Sequence, residues 1–292
     1  MSWLVIGDSG QLGLRLTTEL KKRSIPVVAD TALRIDITKP DLIDELIERL
    51  KPSVIVNAAA WTDVDGAESN RASAYEINAA GPKHLAEVSA RTGAILVQIS
   101  TDYVFSGTNE EPWKVSDHHN PISVYGETKS AGEKFVLAIC PQSSYVVRTA
   151  WLYSAARKNF AKTMVHLALS SSHEVKVVND QLGQPTFAGD LANQIIDLVT
   201  GNSPFGVYHA TNSGQASWFD FAQEIFKLLG ADVSRVVPVS SREFSRPAKR
   251  PAYSVLSHDE WENTVLKPMR DWRLALSEAI PSIKLAVMEE GK

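Results

Sequence analysis

Through its first 150 residues the chain alternates short, β-branched apolar runs with helical patterns, and this alternation limits the fold more than any other feature. The runs lie at 3–6, 26–29, 53–57, 94–99 and 145–149, and they are too continuously apolar for half-exposed strands. Before the third run, Leu42, Ile43, Leu46, Ile47 and Leu50 recur at helical spacing. Pro40 suits a first helical turn there, and Thr38 with Asp41 forms a candidate capping box. Strand alternating with helix at this pitch predicts an α/β fold with a Rossmann-type, doubly wound parallel sheet covered on both faces. After residue 150 the pattern loosens. Strands are expected at 175–179 and 207–209, a helix at 218–229 started by Ser217, and little regular structure across 241–254. The expected organisation is a dinucleotide-binding domain at 1–150 and a smaller, mixed substrate-binding domain at 151–292. That boundary is soft, because late segments can return to the first sheet.

The first run leads straight into Gly7-Asp8-Ser9-Gly10-Gln11-Leu12-Gly13 and then an amphipathic stretch to about Arg23. Glycines in such a turn let backbone amides approach a pyrophosphate at a helix N-terminus. Asp30 ends the second run about 20 residues later, where an acid can bind ribose hydroxyls. It would repel a 2'-phosphate and favours NADH, whereas Arg34 nearby would offset that repulsion. NADH and NADPH both stay open.

Tyr125 and Lys129 stand four apart and share a helix face. They follow a fourth strand ending Ser100-Thr101-Asp102-Tyr103, at the sheet edge where ligands bind. Reducing a ketone requires a proton donor at oxygen as hydride reaches carbon. An adjacent ammonium is expected to lower the phenol pKa; two units would be worth roughly 2.7 kcal/mol. Thr101 can hydrogen-bond the same oxygen.

Motifs along nearly the whole chain resemble the extended short-chain dehydrogenase/reductase family. They are GDSGQLG at 7–13, DITKP at 36–40, VNAAAWTDVDGAES at 56–69, STDYVFSG at 100–107, VYGETKSAGE at 124–133, RTAWLY at 148–153, NDQLGQPT at 179–186 and RPAYSVL at 250–256. The resemblance is closest to the branch that reduces the C4 ketone of dTDP-4-dehydro-L-rhamnose with NAD(P)H to supply rhamnose for surface polysaccharide. It implies that Gly7, Gly10, Gln11, Leu12 and Gly13 hold the dinucleotide pyrophosphate, and Asp30 the adenosine ribose. It further implies that Asp36 and Ile37 flank the adenine, while Ala60, Trp61 and Thr62 line the cofactor. Tyr125 would be the proton donor, with Lys129 assisting and contacting cofactor. Thr101, Asp102 and Tyr125 would meet the sugar, and Trp151 would pack on the substrate.

Dehydratases of the same fold carry an Asp-Glu pair after the threonine. Here Tyr103 stands in place of the second carboxylate, so elimination lacks a partner. A related epimerase or reductase, or a non-catalytic dinucleotide-binding regulatory subunit, remains the alternative.

Several other features narrow the reading. A formal charge of −4 and 44% hydrophobic residues predict a packed protein without a broad nucleic-acid face. No run approaches the roughly 20 apolar residues of a membrane span, and the opening MSWLVIGDSG has no signal-peptide pattern. A single Cys140 excludes an internal disulfide and fits the cytoplasm. His118 and His119 read as surface residues, and Asp63 and Asp65 as structural hydrogen-bonding groups. Arg246, Lys249 and Arg250 are either diphosphate ligands or a solvated loop. No metal ligand set is expected in the chain. Some relatives are thought to dimerise through a metal, Mg2+ being the candidate, but Arg15 stands where a carboxylate would serve. A monomer or metal-free homodimer is therefore expected.

Overall fold

The computed structural model describes residues 1–29 and 35–290, so Asp30 and Arg34 lie outside the described residues. Five strands of the first half, β1 (Trp3–Ile6), β2 (Val27–Ala29), β3 (Val54–Asn57), β4 (Ile95–Thr101) and β5 (Ser144–Thr149), form a parallel sheet. A sixth strand, Gly206–His209, returns from the second half to pair with β5. The order is Gly206–His209, β5, β4, β3, β1, β2. The chain winds one way from β1 to β2 and the other way from β3 onward, which places a switch point beside β1.

Successive side chains of a strand face opposite sides, and both sides of β1 are buried. Trp3 and Val5 pack with Leu16 and Leu20 of α1 (Gln11–Lys22) and with Leu191 and Ile195 of the helix Ala188–Thr200. Leu4 and Ile6 pack with Ile43 and Ile47 of α2 (Pro40–Leu50) and with Leu85. This two-sided burial is why the runs read as continuously apolar.

The expected capping box at α2 does not form. Lys39 is the N-cap and makes no side-chain bond, because Pro40 sets the start one residue beyond Thr38. Thr38 instead donates through its N–H and Oγ1 to Asp36 Oδ1, at 3.0 and 2.7 Å. Those bonds hold the Asp36 carboxyl below its usual pKa. Ser217 does cap the helix Trp218–Leu228, in a reciprocal box with Asp220.

A separate core in the second half gathers Phe221, Ile225, Phe226, Trp272 and Leu276. The strands Val175–Val178 and Val236–Val239 pair in parallel beside it. The 241–254 stretch holds a single short 3-10 turn, Ser241–Glu243. Two of its cations are paired with a carboxylate of the protein. Arg250 clamps Asp65 at 3.0 and 2.8 Å, and Arg246 reaches it at 3.3 Å. Asp65 is thus the structural group expected, held down to about 2 chiefly by Arg250. Asp63 caps its own short helix through Gly66 N–H.

Candidate active site

A cleft of about 650 Å³ opens along the carboxyl ends of β1, β3, β4 and β5. The glycine loop follows β1 and lines it. Gly7 adopts φ +78°, and a Cβ there would lie 2.6 Å from Ala59 N. A Cβ on Gly13 would meet Gly7 O at 2.3 Å and Asp8 Cα at 2.5 Å, so α1 can start this close to β1 only with glycine. The first turn of α1 has no side-chain cap, which leaves its amides to an anion in the cleft. This close-packed cradle fits a dinucleotide pyrophosphate. Gly13→Ala is expected to cost about 1–3 kcal/mol of stability and to weaken dinucleotide binding at least tenfold, checked by urea melts and titration.

The Gln11 side chain is not aimed at a ligand. Its Oε1 accepts from Ser154 Oγ (3.0 Å) and Asn159 Nδ2 (2.9 Å), and its Nε2 donates to Leu152 O at 3.3 Å. Only its backbone is left for a phosphate.

Tyr125, Lys129, Thr101 and Asp102 meet in the same cleft. Ser123 caps the helix Val124–Ile139 through Gly126 N–H, which puts Tyr125 in its first turn and Lys129 one turn on. The Tyr125 ring meets Tyr103 edge-on at 5.6 Å. The acidification expected of Tyr125 is not what the structure shows. Burial pushes the phenol up to about 12, against the pull of the Thr101 hydroxyl. The Lys129 ammonium donates to Ile99 O at 2.6 Å, and burial lowers it to about 8. Thr101 Oγ1 donates to Asp102 Oδ1 at 2.9 Å, and burial lifts Asp102 to about 6.

A buried polar brace stands behind these groups. Glu133, one turn beyond Lys129, takes bonds from Arg148 Nε and, at 2.8 Å, from Arg148 Nη2, and accepts from Ser100 Oγ. Arg148 also donates to His119 Nε2 at 2.6 Å and to His209 Nε2 at 3.2 Å. Arginine can only donate, so both rings accept at Nε2 and carry their proton on Nδ1. His119 Nδ1 then donates to Ser130 Oγ, and His209 Nδ1 to Ser257 O. His119 is therefore not the surface residue expected, because its ring completes a buried guanidinium; His118 is exposed. Burial lowers the pKa of both bonded histidines.

Trp151 follows β5 in the left-handed region, φ +45°. Its ring stacks on Trp218 at 3.6 Å and 7°, and a Cβ on Gly183 would come within 2.5 Å of it. Both tryptophans line the cleft, as do Ala60 and Thr62. Trp61 packs with Tyr125 against Ala67, Ala74 and Val124; its backbone N–H donates to Asn78 Oδ1 and its indole N–H to Asp63 O. Asn78, on a π-helical turn, also donates to Thr128 Oγ1, tying this loop to the helix that carries Tyr125 and Lys129. Asp36 and Ile37 are off the lining, and Ile37 is 4% exposed in the core. Arg15 lies over the Phe187 ring, 5.5 Å from its centroid. Trp218, Arg157 and Lys158 line the cleft without having been anticipated. The only trace of the last two in the sequence is a basic pair in a non-periodic stretch after RTAWLY.

The chain matches the RmlD substrate binding domain family over residues 1–285. It is 45% identical to a dTDP-4-dehydrorhamnose reductase of Streptomyces griseus over 285 residues, 96% of this chain and 93% of that one. It is 44% identical to a dTDP-4-keto-6-deoxy-D-glucose reductase of Streptomyces niveus, across 96% of both chains. The crystal structure of a dTDP-4-dehydrorhamnose reductase from Bacillus anthracis in complex with NADP superposes with a TM-score of 0.91. That protein is 37% identical, and the match covers 96% of this chain and 99% of that one.

Proposed function

The chain belongs to the RmlD substrate binding domain family, and from that membership we propose that it reduces the C4 ketone of dTDP-4-dehydro-L-rhamnose to dTDP-L-rhamnose with NAD(P)H. The observation that carries this reading is the convergence of the glycine loop with Tyr125, Thr101 and Lys129 on one cleft at the switch point. Position 103 supports it as well, since a tyrosine there supplies no second carboxylate for elimination.

The backbone of Gly10–Gly13 would hold the dinucleotide diphosphate, Ala60 and Thr62 its nicotinamide half, and Asp30 its adenosine ribose. When bound, the reduced nicotinamide supplies hydride. Tyr125 holds its proton throughout the neutral range, because its pKa lies at about 12. It delivers that proton to the sugar's O4; an alkoxide is a stronger base than a phenolate, so the transfer runs downhill even from so weak a phenol. Lys129 spends one N–H on Ile99 O, and its other two are free to hold ribose hydroxyls and to steady the phenolate left behind. The stacked pair Trp151–Trp218 offers a flat apolar wall to the hexose or the base.

With Lys129 at about 8, kcat/KM is expected to fall on the alkaline side, roughly tenfold per pH unit once the ammonium is lost. The sign follows from the chemistry, since a neutral amine no longer stabilises phenolate. In Lys129→Arg the limb should move beyond pH 10, because guanidinium stays charged there. A limb unmoved in that variant would assign it to another group.

The deciding experiment follows NADH, and separately NADPH, with enzymatically prepared dTDP-4-dehydro-L-rhamnose and with dTDP-4-keto-6-deoxy-D-glucose. Oxidation with the first sugar supports the reading. Oxidation with only the second would move the chain to the activity named for the Streptomyces niveus relative. Dinucleotide binding without turnover of either would favour the regulatory-subunit alternative.

A further inference from the structure

Among the described residues, two cations on the cleft wall are given no role by the mechanism. Arg157 and Lys158 follow β5 in the chain and line the cleft together with the glycine loop. Arg157 Nε donates to Ser9 O at 2.7 Å, inside the phosphate turn itself. Its two Nη nitrogens and Lys158 Nζ have no protein partner among the described residues. The contrast with Arg246 and Arg250, both committed to Asp65, is direct.

The loop is held in place from two sides. Gln11 is bonded to Leu152 O, Ser154 and Asn159, and Asn159 also caps the helix Phe160–Ser170. Arg157 itself takes a left-handed backbone, φ +59°, which a non-glycine residue adopts only where its surroundings impose it. The one carboxylate on the lining among the described residues, Asp102, follows β4, two strands along the sheet from β1. Among the described residues, the lining at the glycine-loop end therefore carries two cations and no carboxylate.

We propose that Arg157 and Lys158 form a second jaw of the diphosphate site, closing on the dinucleotide's pyrophosphate from the side opposite the Gly10–Gly13 amides. Arg157 lends its free Nη pair to one phosphate while its Nε stays on Ser9, and Lys158 adds a mobile point charge. The Gln11 contacts fix the distance between the jaws. This rests on the dinucleotide reading above and adds residues to it that lie outside the glycine motif.

The test is equilibrium binding of NADH, NADPH and dTDP, each alone, to wild type, Arg157→Gln, Lys158→Gln and the double variant, at low and high salt. Arg157→Gln is expected to raise Kd about tenfold for both dinucleotides, as loss of a charge-assisted bond should. Lys158→Gln should raise it about threefold. The double variant should also lose much of the salt dependence, which a role limited to holding Ser9 would leave intact. Arg157→Lys should recover part of the affinity. Unchanged Kd values in the double variant would overturn the proposal. A loss confined to NADPH would overturn it in favour of 2'-phosphate recognition, and a loss confined to dTDP in favour of the sugar diphosphate. Failure of wild type to bind either dinucleotide would instead remove the functional reading beneath it.

Discussion

Tyr125→Phe should lower kcat by roughly 100-fold or more while leaving dinucleotide Kd within about twofold of wild type. The ring packs with Ala67, Ala74 and Val124 and meets Tyr103 edge-on, and phenylalanine preserves those contacts. What it removes is the hydroxyl beside Thr101 that carries the proton. The glycine cradle and the Lys129–Ile99 bond are untouched, so cofactor affinity reports independently that the site is intact. A parallel collapse of Kd and kcat would mean the cleft had been disturbed. Turnover within about fivefold of wild type would take Tyr125 out of the proton-donor role.

Arg148→Met is expected to destabilise the protein by about 3–5 kcal/mol, because it strands the Glu133 carboxylate in the interior. Arg148 and Glu133 are only 2% and 1% exposed, and the guanidinium binds Glu133, His119, His209 and Val115 O together. No water can replace that set without opening the space between the helix Val124–Ile139 and β5. Glu133→Gln should cost less, since an amide still offers an acceptor to Arg148 and to Ser100. The double variant Glu133→Gln/Arg148→Met should be more stable than Arg148→Met alone, and that non-additivity separates a paired charge from simple packing. Urea denaturation of the four proteins measures it. A loss below about 1 kcal/mol for Arg148→Met would show that the pair is effectively solvated. Activity should fall as well, because Ser100 joins Glu133 directly to the strand end that carries Thr101.

The readable and unreadable parts divide by sequence distance. The strands follow from short continuous apolar runs, α1, α2 and the Tyr125–Lys129 face from helical spacing, and the glycine loop from a turn that only glycine permits. The cap at α2 misled because Thr38 had a nearer acceptor in Asp36, a contest between two local bonds that spacing does not weigh. The lowered phenol pKa misled because spacing along a helix does not show how deeply the phenol is buried, and burial is the larger effect on Tyr125. His119 looked like a surface residue in a polar loop, since the arginine it completes lies 29 positions away.

The sequence by itself determined a doubly wound parallel sheet and a tyrosine–lysine helix face at its carboxyl edge, since short-range sterics and burial of apolar faces leave few other outcomes. Only the tertiary structure decided which polar residues share the cleft. Gln11 meets Asn159 across 148 positions, and Asp65 meets Arg250 across 185. Such contacts form only after the loops have closed, and their geometry is set by how the two cores pack rather than by any period along the chain.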